Sequence, residues 1–172
     1  MGVCFSDRVL KRYVLFDLFM GTQTVEIGMT TNAQNEHLTG RCYCGRTTIK
    51  ASKPPKTVAY CHCDDCRRST GAPVAAYAAF DESDIVFAPG AGKEISIAKG
   101  VVRSFCPSCG SPLSGRYDYL PGTVYVPIGL IDNADDYPAE LHAHSENRLS
   151  WLNLADGLPR HAGSARTQLN EK

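Results

Sequence analysis

Seven of the eight cysteines stand in three tight groups, a spacing typical of metal ligands rather than of a scattered disulfide framework. The groups are Cys42 with Cys44, Cys61 with Cys63 and Cys66, and Cys106 with Cys109. Zinc prefers thiolate and imidazole ligands, usually four of them in a tetrahedron. The pattern therefore predicts two zinc ions, whereas Cys4 stands alone and is interpreted as a bystander.

Two of the groups have the spacing of a closed structural site. Two residues separate Cys106 from Cys109, which lets both sulfurs face one ion, and Gly110 permits the positive φ that such a turn needs. One residue separates Cys42 from Cys44, so on an extended strand both side chains would share a face. Together the two pairs supply the four thiolates of a structural zinc.

The third group supplies three thiolates from a single six-residue segment: two on a common strand face and the third, Cys66, where the chain turns. Three protein ligands with an open fourth position are typical of a catalytic zinc. The spacing leaves two alternatives open. Cys66 could join one of the pairs, or the group could be a second closed site whose fourth ligand is His62, His142 or His144.

Strand alternation predicts that His62 points away from Cys61 and Cys63. His142 and His144 are two residues apart and are interpreted as an exposed pair on one strand face, without a ligand role.

Several other side chains are candidates for a binding pocket. Arg67 and Arg68 follow Cys66 directly and could bind carboxylates, since a guanidinium suits bidentate recognition of that group. The alternative is that they are solvated surface charges. Tyr43 and Trp151 could line a pocket, although a tryptophan in a small β domain is more often part of the core.

The elements that must position these side chains are short strands separated by turn residues. The helical turn expected over Asp64–Thr70 ends at Gly71. Breaks that contain glycine and proline, together with alternating apolar residues, mark the strands. The predicted strands cover residues 41–51 (a hairpin interrupted at Cys44-Gly45), 57–63, 73–80, 85–88, 94–98, 101–105 and 124–128, with weaker ones over 140–144 and 149–154.

Length and composition predict one soluble domain. The chain has 172 residues, and its 18 basic and 18 acidic side chains balance, so nothing marks a nucleic-acid or membrane surface. Disulfides would need an oxidising compartment, and nothing in the sequence argues for secretion, so we expect clustered metal-ligating cysteines in a cytoplasmic protein. We expect the domain over 37–164 and a tail over 165–172. Residues 1–36 are either a non-native extension before a start at Met29 or an added edge element.

Five sequence motifs occur in the same order as in a known protein family. They are GRCYCG at 40–45, YCHCDDCRRSTGAP at 60–73, FCPSCGSPL at 105–113, VYVPIGLID at 124–132 and LSWLNLADGLPRH at 149–161. With them, the segment from His37 to Ser164 resembles the glutathione-dependent formaldehyde-activating enzyme family, which also contains the eukaryotic centromere protein V. The resemblance implies a mainly β, tent-like fold pinned by zinc.

The same resemblance implies one structural zinc on Cys42, Cys44, Cys106 and Cys109, and one exchangeable zinc on Cys61, Cys63 and Cys66. It also implies condensation of glutathione with formaldehyde, the reverse of a carbon–sulfur lyase reaction. The alternative is a non-catalytic module that binds glutathione or a protein partner. A chromatin factor is disfavoured by the balanced charge, and the oligomeric state is left open.

Overall fold

The computed structural model describes residues 38–166. The interpretations of residues 1–36, of a start at Met29 and of the final tail residues 167–172 therefore lie outside the described residues. Within the described range no helix is long and apolar enough to cross a bilayer.

Short strands dominate the described range. They are β1 (Leu38–Arg41), β2 (Thr48–Ala51), β3 (Thr57–Cys61), β4 (Ala75–Asp81), β5 (Ile85–Ala88), β6 (Lys93–Ala98), β7 (Val101–Phe105), β8 (Pro112–Tyr117), β9 (Thr123–Pro127) and β10 (Leu141–Ala143). The α-helix is α1 (Asp64–Thr70), and short 3-10 segments cover Glu82–Asp84, Ile128–Leu130, Ala134–Asp136 and Ser145–Asn147. The predicted mainly β class is confirmed.

The strands form two sheets. One has the order β1-β2-β5 and the other the order β10-β3-β4-β9-β8-β7-β6. Neighbouring strands are antiparallel, except that β10 runs parallel to β3 with His142 opposite Tyr60. Because β10 pairs with β3, residues from the C-terminal part of the domain lie beside the segment that carries Cys61.

The main apolar core forms from both sheets. Alternation gives β1 and β2 one buried face each, with Leu38 and Ile49 pointing inward. They cluster with Val58, Phe80 and Val124 from the larger sheet. Burying these side chains is the main favourable contribution to folding, and it holds the three cysteine-bearing segments on one framework.

Helix α1 begins and ends at residues that suit helix termini. The Sγ atom of Cys63 caps it by accepting a hydrogen bond from the Cys66 N–H at 3.3 Å. Gly71 ends it in the left-handed conformation, with φ 69°, and donates its N–H to the Arg67 carbonyl. The helix predicted over these residues is confirmed.

Two parts of the strand prediction are wrong. Residues 149–154 form no strand, since the Leu152 N–H turns back to the Leu149 carbonyl at 3.0 Å. Trp151 lies on this turn with 69% of its surface exposed, so it is not in the core. Strand β8 was not predicted, because its sequence PLSGRY contains residues typical of turns.

Candidate metal centres and the thiol pocket

The four-thiol group, formed by Cys42, Cys44, Cys106 and Cys109, has its sulfurs within 4.8 Å of one another. The Cys44 Sγ lies 3.5 Å from that of Cys42 and 3.9 Å from that of Cys106. A tetrahedron with zinc–sulfur bonds of about 2.3 Å has sulfur–sulfur edges of about 3.8 Å. The four side chains therefore fit around a single ion of that kind.

Two similar turns position this group. Gly45 donates its N–H to the Cys42 carbonyl at 2.9 Å, and Gly110 donates to the Cys106 carbonyl at 2.8 Å. Both glycines are left-handed, with φ of 74° and 75°. Strand β1 ends before Cys42, so the expectation that Cys42 and Cys44 share a strand face is wrong. The reversal of the chain, rather than side-chain alternation, brings their sulfurs together.

Hydrogen bonds favour the ionised form of two of these four thiols. The pKa of Cys44 is instead raised to about 11, because a backbone hydrogen bond from Arg46 is outweighed by burial and the neighbouring sulfurs. The Thr47 N–H donates to the Cys42 Sγ at 3.3 Å, and this bond lowers the pKa of Cys42. The hydroxyl of Ser111 lies 3.3 Å from the Cys109 Sγ and lowers the pKa of Cys109 to about 5. Such outer contacts orient ligands and tune their basicity.

The three-thiol group, formed by Cys61, Cys63 and Cys66, also has its sulfurs within 4.8 Å of one another. Cys61 ends β3, Cys63 caps α1, and Cys66 lies in the first turn of the helix. The expected common strand face of Cys61 and Cys63 is wrong, because the strand stops at Cys61. Even so, their sulfurs are 3.5 Å apart, and this contact lowers the pKa of Cys63 while raising that of Cys61.

No histidine of the described residues joins either group of sulfurs. His62 lies between two of the cysteines in sequence but points to the protein interior, where its Nε2 is 2.8 Å from the Nδ1 of His142. The expected exposed pair of His142 and His144 is wrong. His142 is fully buried because the segment around Arg160 covers β10, whereas His144 lines a pocket.

That pocket, here called the thiol pocket, is a cavity of about 350 Å³. All three sulfur-bearing side chains of the three-thiol group line it, and none of the four-thiol group does. Its walls are largely aromatic and apolar, formed by Tyr77, Tyr117, Tyr119, Tyr125, Leu141 and Ala143. A cavity of this size suits a small-molecule ligand, so a ligand in it would meet the three-thiol group directly.

Arg103 from β7 brings a positive charge to the floor of the thiol pocket. Its Nη2 lies 3.8 Å from the Cys66 Sγ, and its Nη1 donates to the hydroxyls of Ser69 at 2.7 Å and Tyr77 at 3.2 Å. Its guanidinium also stands over the Tyr117 ring, 5.9 Å from the centroid. Sequence reasoning missed this residue, since one arginine in an alternating strand resembles an exposed side chain.

Arg67 and Arg68 do not line the thiol pocket. Both pair with Asp64, through Arg67 Nη2 at 3.2 Å and Arg68 Nε at 2.6 Å. Arg67 also donates to the Asn147 carbonyl at 2.9 Å. The binding of carboxylates by these two arginines stays a prediction. Tyr43, an aromatic candidate for a pocket wall, is exposed and does not line the thiol pocket.

Burial opposes ionisation of the pocket-wall tyrosines, whose ordinary pKa of about 10 already leaves them neutral at pH 7. It raises the pKa of Tyr77, Tyr117 and Tyr125 above the ordinary value, and that of Tyr119 to about 12. At neutral pH the wall therefore offers neutral hydroxyls beside apolar rings, and its fixed positive charges come from Arg103 and from Arg166 at the C-terminal end of the described chain.

One of three comparisons with known proteins identifies a family. A family model described as glutathione-dependent formaldehyde-activating enzyme matches residues 37–147, a range that contains all seven clustered cysteines. A solved structure, described as the crystal structure of a Rhodobacter sphaeroides protein studied by structural genomics, is 21% identical. The match covers 72% of this chain and 99% of that one, with a TM-score of 0.44. A comparison with curated proteins finds no match.

Proposed function

The chain belongs to the glutathione-dependent formaldehyde-activating enzyme family, and from this premise we propose that it joins a small thiol, such as glutathione, to an aldehyde such as formaldehyde. The observation that carries the proposal is the asymmetry of the two cysteine groups. Among the described residues, all three cysteines of the three-thiol group line the thiol pocket, a cavity of about 350 Å³, whereas a single member of the four-thiol group, Cys106, lines a separate cavity beside Pro107. The four-thiol group then has a structural role and the three-thiol group a chemical one.

The proposed reaction needs no oxidant or reductant. The thiol sulfur adds to the carbonyl carbon, and a carbon–sulfur bond forms. The π electron pair of the carbonyl moves to its oxygen, which takes the proton released by the thiol. The product is an S-hydroxymethyl thioether, and its breakdown is a carbon–sulfur lyase reaction.

We propose zinc at both groups, because soft thiolate ligands in sets of three and four favour this ion. Zinc held by Cys61, Cys63 and Cys66 would supply the charge that deprotonates a thiol at its open position. None of the seven described cysteines forms a disulfide. Such thiols persist in reducing surroundings, which supports a cytoplasmic location.

Arg103 lowers the electrostatic cost of bringing another anion to three thiolates. Its guanidinium lies beside Cys66 and is fixed by two hydroxyls, so it adds positive charge without having to reorganise. Arg166 lines the same cavity and suits a carboxylate of the ligand. The described contacts favour these two arginines over Arg67 and Arg68, whose guanidinium groups already bind Asp64.

The test combines metal counting with calorimetry. Zinc content is measured before and after mild chelation, and reduced glutathione is titrated into both samples, with Cys63→Ser protein as the control. We expect two ions to fall to one and glutathione binding to disappear with the second ion. Two retained ions without glutathione binding would exclude the proposed site.

Turnover is measured separately, by following the exchange between free and glutathione-bound formaldehyde with NMR. We expect intact protein to accelerate the exchange and Cys63→Ser protein not to do so. Saturable glutathione binding without acceleration would instead indicate the alternative function, a zinc-stabilised glutathione carrier.

A further inference from the structure

A chain of three hydrogen-bonded side chains lies behind the three-thiol group. The Asp156 carboxylate is 2.9 Å from His142 Nε2, and His142 Nδ1 is 2.8 Å from His62 Nε2. Both imidazoles are completely buried, and their rings lie edge to edge, with centroids 5.1 Å apart and planes inclined by 17°, as a hydrogen bond in the plane of the rings requires. The proposed chemistry gives these histidines no part, since neither lines the thiol pocket.

The carboxylate determines the direction of these hydrogen bonds. Asp156 accepts, so His142 Nε2 must carry a hydrogen. In a neutral imidazole His142 Nδ1 is then an acceptor, and His62 Nε2 must donate to it. This arrangement leaves His62 Nδ1 without a hydrogen, and that atom is buried with no partner. A lone pair without a partner is tolerated inside proteins more readily than a buried N–H.

The main chain at His62 is hydrogen-bonded, as its ring is. The His62 N–H donates to the Ala143 carbonyl at 3.0 Å, continuing the parallel pairing of β10 with β3. His142 in turn donates its N–H to the Pro159 carbonyl at 2.8 Å. The residue between Cys61 and Cys63 is therefore fixed through both its main chain and its side chain.

We propose that Asp156, His142 and His62 are positioning residues that fix the direction of the Cys61 and Cys63 sulfurs and so raise the metal affinity of the three-thiol group. Removing a group that is hydrogen-bonded to a metal ligand typically costs 10–100-fold in metal affinity. These three side chains act on the sulfurs through the residue that joins Cys61 to Cys63, so we take the lower end of that range, about tenfold. The inference rests on metal binding at that group, which the proposed function assumes, and not on the reaction with an aldehyde.

The test uses the full chain with Asp156→Ala, a side chain that is 29% exposed, so that the protein keeps its fold. The control is Asp84→Ala, which removes another partly buried carboxylate, one that pairs with Lys53 at 3.1 Å. Zinc affinity is measured at each group by chelator competition, without glutathione or aldehyde, and thermal unfolding is followed in parallel.

We expect Asp156→Ala to weaken zinc binding at the three-thiol group about tenfold, with the four-thiol group and the control unchanged. Unchanged affinity at the three-thiol group, or equal weakening at both groups alongside a lower melting temperature, would overturn the inference and leave a purely structural network. A wild-type protein that binds only one ion would overturn both this inference and the proposed function.

NMR of the imidazole nitrogens tests the direction of the hydrogen bonds, while the selective loss of zinc affinity separates a positioning role from a purely structural one. In the wild-type protein we expect a hydrogen on Nε2 of both His62 and His142, and a bare Nδ1 on His62. In Asp156→Ala protein His142 loses the acceptor that selects this form, so we expect its tautomers to mix. A wild-type protein with a hydrogen on His62 Nδ1 would contradict the proposed direction.

Discussion

At the scale of the residue, Arg103 sets the charge of the thiol pocket. Its Nη2 faces the Cys66 sulfur, and the hydroxyls of Ser69 and Tyr77 hold it there. A hydrogen bond that involves a charged group contributes about 1.5–3 kcal/mol, so the loss of this cation should be measurable in binding. Arg68, in contrast, is 78% exposed and paired with Asp64.

We predict that Arg103→Met weakens glutathione binding about tenfold or more, which corresponds to about 1.4 kcal/mol, and that Arg103→Lys weakens it less. Calorimetric titration measures both. Arg68→Met is the matched control and should bind as the wild-type protein does. If Arg68→Met were the weaker binder, the carboxylate site assigned from the sequence to Arg67 and Arg68 would be supported instead.

We expect a cysteine-to-serine substitution to affect protein stability differently in the two cysteine groups. Cys106→Ser should lower the free energy of unfolding strongly, because a structural zinc ties together segments that are 62 residues apart. Cys63→Ser should stay folded and lose one ion, since its group lies within one short segment. Circular dichroism and metal analysis of both variants measure this. Equal destabilisation by both substitutions would contradict the division into structural and chemical groups.

At the scale of the element, the turn after Cys106 depends on a left-handed residue. Gly110 has φ of 75° and no atom near its missing side chain. Gly110→Ala should therefore lower the free energy of unfolding by about 1–2 kcal/mol through backbone strain alone. Urea denaturation measures it. Gly129→Ala is the control, because Gly129 also has open space but an ordinary φ, and an equal loss there would contradict the explanation.

The elements predicted well from the sequence are those with local signals. Helix α1 has acidic residues in its first turn and a glycine at its end, and strand β7 has the predicted bounds Val101–Phe105. The cysteine groups could also be predicted from the sequence, because the cysteines of each pair or triplet lie within a few residues of one another. Arg103 was not found, since its proximity to Cys66 arises from the pairing order of seven strands. The same long-range packing buries His142 and leaves Trp151 exposed.

At the scale of the whole molecule, the partly buried tyrosines Tyr117 and Tyr125 link the free energy of unfolding to alkaline pH. Burial raises the pKa of Tyr117 and Tyr125 above the ordinary value of about 10. The folded state thus holds these protons more tightly than the unfolded chain. Their contribution to stability is complete below about pH 10 and is lost as the pH rises towards the folded-state values.

We therefore expect the free energy of unfolding to fall between about pH 10 and 12, as measured by urea denaturation at a series of pH values. Tyr125→Phe should reduce the slope of this fall, because it removes one of the responsible hydroxyls. A spectrophotometric titration in which every tyrosine of the folded protein ionises near pH 10 would contradict the prediction.

The parallel return of β10 to β3 also has a consequence for synthesis on the ribosome. His62 and His142 are 80 residues apart, and chains grow at about 5–20 residues per second. The three thiols thus leave the ribosome roughly 4–16 s before the strand that walls their pocket. During that interval β10 has not yet formed the pocket wall, so metal ions and oxidants in solution reach these sulfurs before the folded pocket restricts access to them.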